Sequence, residues 1–310
     1  MSLVRRASFS RSRLPACLPA LALALLGSAA LALPRAAESK AESKTAPKTD
    51  PKPAPTPASC PREPVASGTV ARVIDGRTFV LADGREVRLA GIEVAPNQAG
   101  PGTPPVTAQD QPSENTGAAA TEALRALVAG REVVLTAAKS ATDRYGRLLA
   151  DAALRDDAGT GSIAKILISQ GIARVTAHPG TAACLPELRA AERTARTAKL
   201  GLWGDPRYFP RAAEDAAGVS AERGRFTLVE GKIVSVRESG GTIYVNFGRR
   251  WTEDFTVTIA KRKERQFSAA GLDPRTLTGR RVMVRGWIEE RGGPWIEASA
   301  PEQIEIVADK

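Results

Sequence analysis

Histidine and cysteine are scarce in this sequence. His178 is the one histidine among 310 residues, and the cysteines are Cys17, Cys60 and Cys184. A Ser-His-Asp triad and a histidine-based zinc site both need imidazole, so the sequence favours neither, and no zinc is expected. Acidic residues are also the minority charge, with 34 Asp and Glu against 44 Lys and Arg. This excess of positive charge favours anionic partners such as nucleic acid or an acidic membrane surface.

The first 32 residues have the pattern of a secretory signal. Four arginines precede the apolar run Leu14–Leu26, and Ala30 and Ala32 supply small residues at cleavage-site spacing. The run is shorter than the ~20 apolar residues that a bilayer span needs, which favours cleavage over a retained anchor helix. We therefore expect residues 1–32 to be a signal peptide and the protein to be exported, either periplasmic or secreted.

Export determines how the remaining cysteines are interpreted. Cys17 is removed with the signal peptide, and Cys60 and Cys184 remain as a pair in an oxidising compartment. We predict a disulfide between them, with two unpaired cysteines as the alternative. The bond would connect the start of the folded region to a late segment of the first domain.

Composition divides the rest of the chain into four segments. Residues 33–64 are an Ala/Lys/Pro linker expected to be disordered, because they contain almost no large apolar residue. Its lysines could contact anionic envelope polymers, although a solvated linker is the preferred interpretation. Residues 65–208 form a first domain, 209–224 a polar linker and 225–310 a second domain. Short strands interleaved with helices in the first domain predict a mainly β, α+β fold with a small closed barrel.

Five short segments of the first domain resemble, in order, the signatures of the thermonuclease (staphylococcal nuclease) family. They are Val73–Thr78, Val87–Glu93, Asp143–Arg147, Gly171–Val175 and Gly201–Trp203. The resemblance implies a five-stranded OB barrel with three helices that hydrolyses DNA and RNA phosphodiesters with one Ca²⁺. In active members two Asp hold the ion, a Glu activates water and two Arg bind the phosphate. These roles suit the chemistry, since hard cations take oxygen ligands and guanidinium groups match phosphate geometry.

The resemblance carries over the phosphate-binding residues. Arg88 and Arg147 match the two phosphate-binding arginines, and Arg144 and Tyr145 match neighbouring substrate contacts. Nucleic-acid binding through these residues is therefore expected.

The carboxylates of the family pattern are largely replaced. Arg77 stands where the family has one Asp ligand, and Glu93 stands in place of the second. Pro96 replaces the Glu base and Ala177 replaces a Tyr near the substrate. Losing a general base typically costs ~10²–10⁴ in rate, so we expect weak or no hydrolysis and a lost Ca²⁺ site. Our hypothesis places the Arg77 guanidinium in the position of the cation.

Several alternatives remain open at these positions. Arg77 could point to solvent, and Asp75 could be a turn acid without a catalytic role. Glu93 could be a metal ligand or could pair with Arg88 or Arg147. A base could also come from the loop that contains Asp110 and Glu114.

The second domain interleaves aromatic and basic residues. Such a mixture suits single-stranded nucleic acid, although about half of these aromatics must form the core of so small a domain. We predict a small OB-like barrel here. The aromatics are Tyr244, Phe247, Trp251, Phe255, Trp287 and Trp295, and the cations are Arg249, Arg250, Lys261, Arg262, Lys263, Arg265, Arg280, Arg281 and Arg285.

Three functions are consistent with the sequence. The first is an exported protein that binds DNA or RNA, preferably single-stranded, with little or no hydrolysis. The second is an active nuclease with a rearranged site. The third is a non-catalytic envelope module that binds another protein.

Overall fold

The computed structural model describes residues 64–96, 116–156, 161–177, 184–250 and 252–308. All of them belong to one compact unit. The predicted signal peptide, Cys60, Asp110 and Glu114 lie outside these ranges, as does the predicted linker except for Pro64. No helix in the described ranges is long and apolar enough to cross a membrane.

A closed five-stranded barrel forms the centre of the N-terminal half. Its strands are β1 (Pro64–Asp75), β2 (Thr78–Leu81), β3 (Glu86–Leu89), β5 (Glu132–Thr142) and β6 (Leu148–Leu154). They are hydrogen-bonded in the order β1-β2-β3-β6-β5 around the barrel. Burial alternates along β3, so Val87 and Leu89 lie in the core while Arg88 between them stays partly exposed. Beside the barrel, β4 (Ile92–Val94) pairs with β7 (Ala173–Val175).

Three helices belong to the same half of the described chain: α1 (Thr116–Val128), α2 (Ile163–Ser169) and α3 (Leu185–Thr197). Helix α1 buries residues at helical spacing, including Ala120, Leu124 and Val128. Ser162 begins α2 by accepting a 3.0 Å hydrogen bond from the backbone N–H of Lys165. The mixed, mainly β architecture predicted for the chain is therefore confirmed.

The segment predicted as a linker, residues 209–224, is structured. Strand β8 (Arg211–Ala212) pairs in parallel with β9 (Phe226–Lys232), and helix α4 (Ala216–Ser220) buries Val219 completely. The linker prediction was wrong because the segment packs through small residues. An alanine-rich segment with few large apolar side chains has the composition of a loop even where it is part of a core.

The C-terminal half consists of two sheets around one core. Besides β8 and β9, the strands are β10 (Ser235–Ser239), β11 (Thr242–Asn246), β12 (Thr256–Ala260), β13 (Arg281–Trp287), β14 (Glu289–Arg291), β15 (Gly293–Glu297) and β16 (Ile304–Ile306), with helix α5 at Glu264–Ala269. One sheet has the order β16-β13-β9-β8 and the other β10-β11-β12-β15-β14. An OB-type classification of this half stays a prediction.

The two halves are packed together by apolar and charged contacts. Trp203, Phe226 and Met283 belong to one buried cluster that includes residues of both halves. Arg285 on β13 is 1% exposed, and its Nη1 donates to the backbone oxygen of Val175 at 2.8 Å. The same Nη1 forms a 3.0 Å ion pair with Oε2 of Glu192 on α3. The C-terminal half is thus attached directly to strand β7 and helix α3.

Candidate functional site

The turn between β1 and β2 positions Arg77. The backbone N–H of Arg77 donates to Oδ1 of Asp75 at 2.8 Å, so Asp75 stabilises the turn. A Cβ at Gly76 would come within 2.5 Å of the Cβ of Ala120 on α1, so the turn approaches this helix too closely for any larger residue. Asp75 therefore has the role of a turn acid, one of the alternatives left open by the sequence.

Arg77 forms an ion pair with Glu93 on β4. Its Nη1 contacts Oε2 of Glu93 and also donates to the backbone oxygen of Ile92 at 3.3 Å. The two side chains are 15% and 10% exposed. The alternative of a solvent-exposed Arg77 is therefore wrong, and Glu93 pairs with Arg77 rather than with Arg88 or Arg147.

A calcium ion does not fit the residues described at this site. A guanidinium already contacts the Glu93 carboxylate, which the family resemblance assigns to a metal ligand, and the Asp75 carboxylate accepts from the backbone. In the described ranges, no group of three His, Cys, Asp or Glu side chains could hold a metal ion. Pro96 and Ala177 are also described, and their side chains can neither bind a cation nor accept a proton.

Glu93 is a buried carboxylate surrounded by arginines. Burial raises the pKa of its carboxyl above the usual value, and the positive charges of Arg77, Arg88 and Arg174 oppose this rise. Arg77 has the largest opposing effect because it also donates a hydrogen bond. One carboxylate and three guanidinium groups therefore lie close enough to interact electrostatically.

Arg88 lies close to other arginines and is not ion-paired within the described part of the chain. It is half-buried on β3, and its side chain has no hydrogen bond or ion pair with any residue that the structure describes. Burial and then the charges of Arg77 and Arg147 lower the pKa of its guanidinium, although an arginine stays protonated at neutral pH. An unpaired guanidinium held next to two others is stabilised when an anion binds.

The turn between β5 and β6 contains Arg144, Tyr145 and Arg147. Arg147 is paired with Asp143, with Nε and Nη2 lying 2.7 and 2.6 Å from Oδ2 of the carboxylate. Burial would raise the pKa of Asp143, but hydrogen bonds from Arg147 and from two backbone N–H groups lower it overall. Arg147, predicted as a phosphate-binding residue, thus already has an anionic partner.

Tyr145 is an exposed aromatic ring next to these cations. It is 67% exposed, and the guanidinium carbons of Arg144 and Arg147 lie 4.8 and 4.9 Å from its ring centroid. Gly146 has a φ of 79°, which favours glycine and lets the chain reverse directly after Tyr145. The turn therefore presents a flat, positively charged surface.

Arg174 was not predicted as a site residue. It lies opposite Glu93 in the β4–β7 ladder, is 7% exposed, and has its guanidinium carbon 5.5 Å from the Tyr208 ring centroid and 5.2 Å from that of Phe226. Its Nε has no hydrogen-bond partner in the described ranges, and burial lowers the pKa of its guanidinium. The sequence signal that could have identified it is a charged residue between the apolar residues Ala173 and Val175.

The aromatic residues of the C-terminal half divide between core and surface. Phe247 and Phe255 are 4% and 0% exposed and belong to the core, while Trp287 is 51% exposed. Tyr244 and Trp295 line a groove. Trp251 lies outside the described residues. The expectation that about half of these residues form the core agrees with this distribution.

Replacing Arg77 by methionine is expected to lower the free energy of unfolding by about 1–3 kcal/mol near neutral pH, because Glu93 loses a charged donor. The pKa of Glu93, already raised by burial, then rises further. A carboxyl with a raised folded-state pKa contributes stability below its unfolded pKa of about 4.3 and loses it as pH rises through the folded-state pKa. The deficit relative to wild type should thus be largest at neutral pH and small at acid pH.

Urea unfolding of both proteins at about pH 7.5 and about pH 4.5 measures this difference. The double variant Arg77→Met/Glu93→Gln is the control, since it removes the charge that Arg77 neutralises. It should recover part of the loss at neutral pH. An equal loss at both pH values would contradict the assignment of Glu93 as the group that Arg77 stabilises.

The barrel and its group of arginines define a class of protein, that of small β-barrels with several arginines close together at one site. Comparisons with known proteins identify the class further. The family described as staphylococcal nuclease homologue matches residues 86–205. Protein ParB of Escherichia coli is 30% identical over 147 residues, which cover 45% of this chain and 73% of that protein. The chain belongs to the staphylococcal nuclease homologue family.

Proposed function

We propose that this protein binds nucleic acid through its phosphates and hydrolyses it weakly or not at all. The proposal rests on the environment of the Arg88 guanidinium. Arg88 is half-buried, has no hydrogen bond or ion pair among the described residues and lies in the positive fields of Arg77 and Arg147. The charges of Glu93 and Asp75 only partly offset these fields. A phosphate that binds there supplies an ion-pair partner, and guanidinium forks match its oxygens well.

The exposed Tyr145 favours nucleic acid over a small free anion. Its ring is available for stacking, and Arg144 and Arg147 lie close to it. A base can stack on such a ring while the adjacent phosphate meets the cations. Stacking requires an unpaired base, so single-stranded DNA or RNA is the preferred ligand.

The replacement of carboxylates supports weak or absent hydrolysis. Arg77 pairs with Glu93, so the carboxylate at the second ligand position is not available to a metal. A guanidinium binds phosphate but cannot acidify a water molecule as a metal ion does. Pro96 in the position of the Glu base leaves no proton acceptor there.

Export is part of the same proposal. Its support is the signal-like pattern of residues 1–32 and the observation that Cys184 is disulfide-bonded. Structural disulfides persist in oxidising compartments such as the periplasm or the exterior. Cys60 stays the predicted partner of Cys184.

Removing divalent metal is expected to leave nucleic-acid binding unchanged. The protein, purified after export, is mixed with labelled single-stranded DNA or RNA in Ca²⁺, in Mg²⁺ or in chelator. We expect the same mobility shift in each condition and intact nucleic acid throughout, because arginine side chains rather than a metal hold the phosphate.

Each other result contradicts a defined part of the proposal. Metal-dependent products would identify an active nuclease with a rearranged site. Binding that disappears with chelator would show that a metal holds the phosphate. The absence of both shift and products would favour a module that binds another protein of the envelope.

A further inference from the structure

A groove of about 330 Å³ lies on the five-stranded sheet of the C-terminal half, and Arg77, Arg88 and Arg147 are not among its lining residues. Side chains at alternate positions of β11 and β12 line it, among them Tyr244, Asn246 and Thr258, because alternate residues of a strand face the same side. Trp295 on β15 lines it as well. The groove thus combines two aromatic rings with amide and hydroxyl groups.

Two polar groups of the lining residues lack partners. Thr258 is 9% exposed, and neither its Oγ1 nor the Nε1 of Trp295 has a hydrogen-bond partner among the described residues, although both atoms are buried. Leaving a buried polar group unpaired is unfavourable, and most such groups in proteins are paired. A ligand with hydroxyl groups in this groove could form the hydrogen bonds that these two groups do not form with the described residues.

The charges of the groove disfavour a nucleic acid. Asp254 and Glu297 contribute two carboxylates to the lining, and Arg291 contributes one guanidinium. Arg291 lies 5.1 Å from the ring centroid of Trp295. A strand of nucleic acid carries a negative charge on every phosphate and needs an excess of cations, which this lining does not provide.

Several cations near the groove or on the adjoining sheet are also neutralised within the protein. Lys261 pairs with Glu238 and Glu264, and Arg281 pairs with Glu230. These pairs weaken the expectation that the C-terminal half binds single-stranded nucleic acid through interleaved aromatics and cations. The groove instead suits a ligand that carries no net charge.

We propose that this groove binds a neutral saccharide. The carbon-bound hydrogens of one sugar face would pack on the indole of Trp295 or the ring of Tyr244, whose faces carry partial negative charge. Carboxylates are strong hydrogen-bond acceptors, so Asp254 and Glu297 would accept from sugar hydroxyls. The Asn246 amide lies in the same lining, although its oxygen accepts from Thr256 and its nitrogen donates to Ser235.

The test uses the full exported protein and isothermal titration with maltotriose, cellotriose and chitotriose, together with an oligothymidylate. At least one trisaccharide should bind with a Kd of about 0.1–1 mM. Trp295→Ala should weaken that binding by about tenfold or more, as expected for an aromatic anchor. Thr258→Val, which has nearly the same shape, should weaken it as well without lowering the unfolding temperature, because the hydroxyl has no partner to lose among the described residues.

Trp287→Ala is the matched control, since Trp287 is exposed on the other sheet and does not line the groove. It should leave saccharide binding unchanged. Failure of all three trisaccharides to bind would overturn the proposal, as would oligothymidylate binding that depends on Trp295. Neither result bears on the Arg88 site, which is tested separately by nucleic-acid binding.

Discussion

Replacing Arg285 by alanine is expected to lower the free energy of unfolding by about 3–5 kcal/mol, because it leaves a buried carboxylate without its partner. Arg285 and Glu192 have side chains that are 1% and 3% exposed, and their ion pair measures 3.0 Å. Water cannot readily replace the guanidinium at such a position, so the charge of Glu192 would stay desolvated. The backbone oxygen of Val175 would also lose its donor.

Urea and thermal unfolding measure the loss, and the unfolding temperature should fall by roughly 10 °C for a folded unit of this size. Arg281→Ala is the matched control, since Arg281 lies on the same strand in a 2.9 Å ion pair with Glu230 that is more exposed. It should cost less than about 1 kcal/mol. Similar losses from both variants would contradict the claim that burial makes the Arg285 pair important.

A double variant distinguishes the loss of the Arg285–Glu192 charge pair from the loss of packing at Arg285. Glu192 accepts a 2.6 Å hydrogen bond from the backbone N–H of Val175 through Oε1, and glutamine retains that oxygen. Arg285→Met/Glu192→Gln should therefore be more stable than Arg285→Ala, since an uncharged pair of similar volume avoids the cost of an isolated charge. A double variant as unstable as the single one would point to lost packing rather than lost charge.

The barrel could be predicted from sequence because its signals are local. Strands β2 and β6 are short, as predicted for this domain, and β3 alternates Val87 and Leu89 in the core with the more exposed Arg88. A turn acid and a glycine mark the end of β1. Such features are determined by neighbouring residues, so one sequence without relatives is enough to detect them.

Contacts between distant segments could not be predicted. Arg285 and Glu192 are 93 residues apart, and Arg285 was counted among the cations that suit single-stranded nucleic acid although it is buried. Its position follows from the way β13 packs on α3 and β7, which no local pattern reports. The segment 209–224 was missed for a related reason, since helix α4 buries Val219 among residues that resemble a linker in composition.

The site was predicted in part. The replacement of a carboxylate by Arg77 is visible in the motif, but its ion pair with Glu93 depends on how the β1–β2 turn approaches β4. The pairing of Arg147 with Asp143 spans four residues and could have been foreseen from the sequence. It shows that the two arginines expected to act alike differ, because Arg147 forms an ion pair and Arg88 forms none among the described residues.

Replacing Arg88 by alanine is therefore expected to reduce the affinity for single-stranded nucleic acid by roughly 30–100-fold, which corresponds to about 2–3 kcal/mol. The slope of log K against log salt should decrease in magnitude by about one phosphate contact. Titration of a labelled oligonucleotide by fluorescence anisotropy at several salt concentrations measures both quantities. Stability should not fall, because Arg88 has no hydrogen bond or ion pair to lose among the described residues and the repulsion from Arg77 and Arg147 is relieved.

Arg72→Ala is the matched control for Arg88→Ala. Arg72 is an exposed cation on strand β1 of the same barrel, so its removal changes the net charge equally but leaves the cluster intact. We expect it to lower affinity by less than about threefold, as is usual for a distant surface charge. Equal losses from both variants would mean that the protein attracts nucleic acid by its net charge alone. A loss confined to Arg88→Ala, without a loss of stability, would identify its unpaired guanidinium as the group that binds the phosphate.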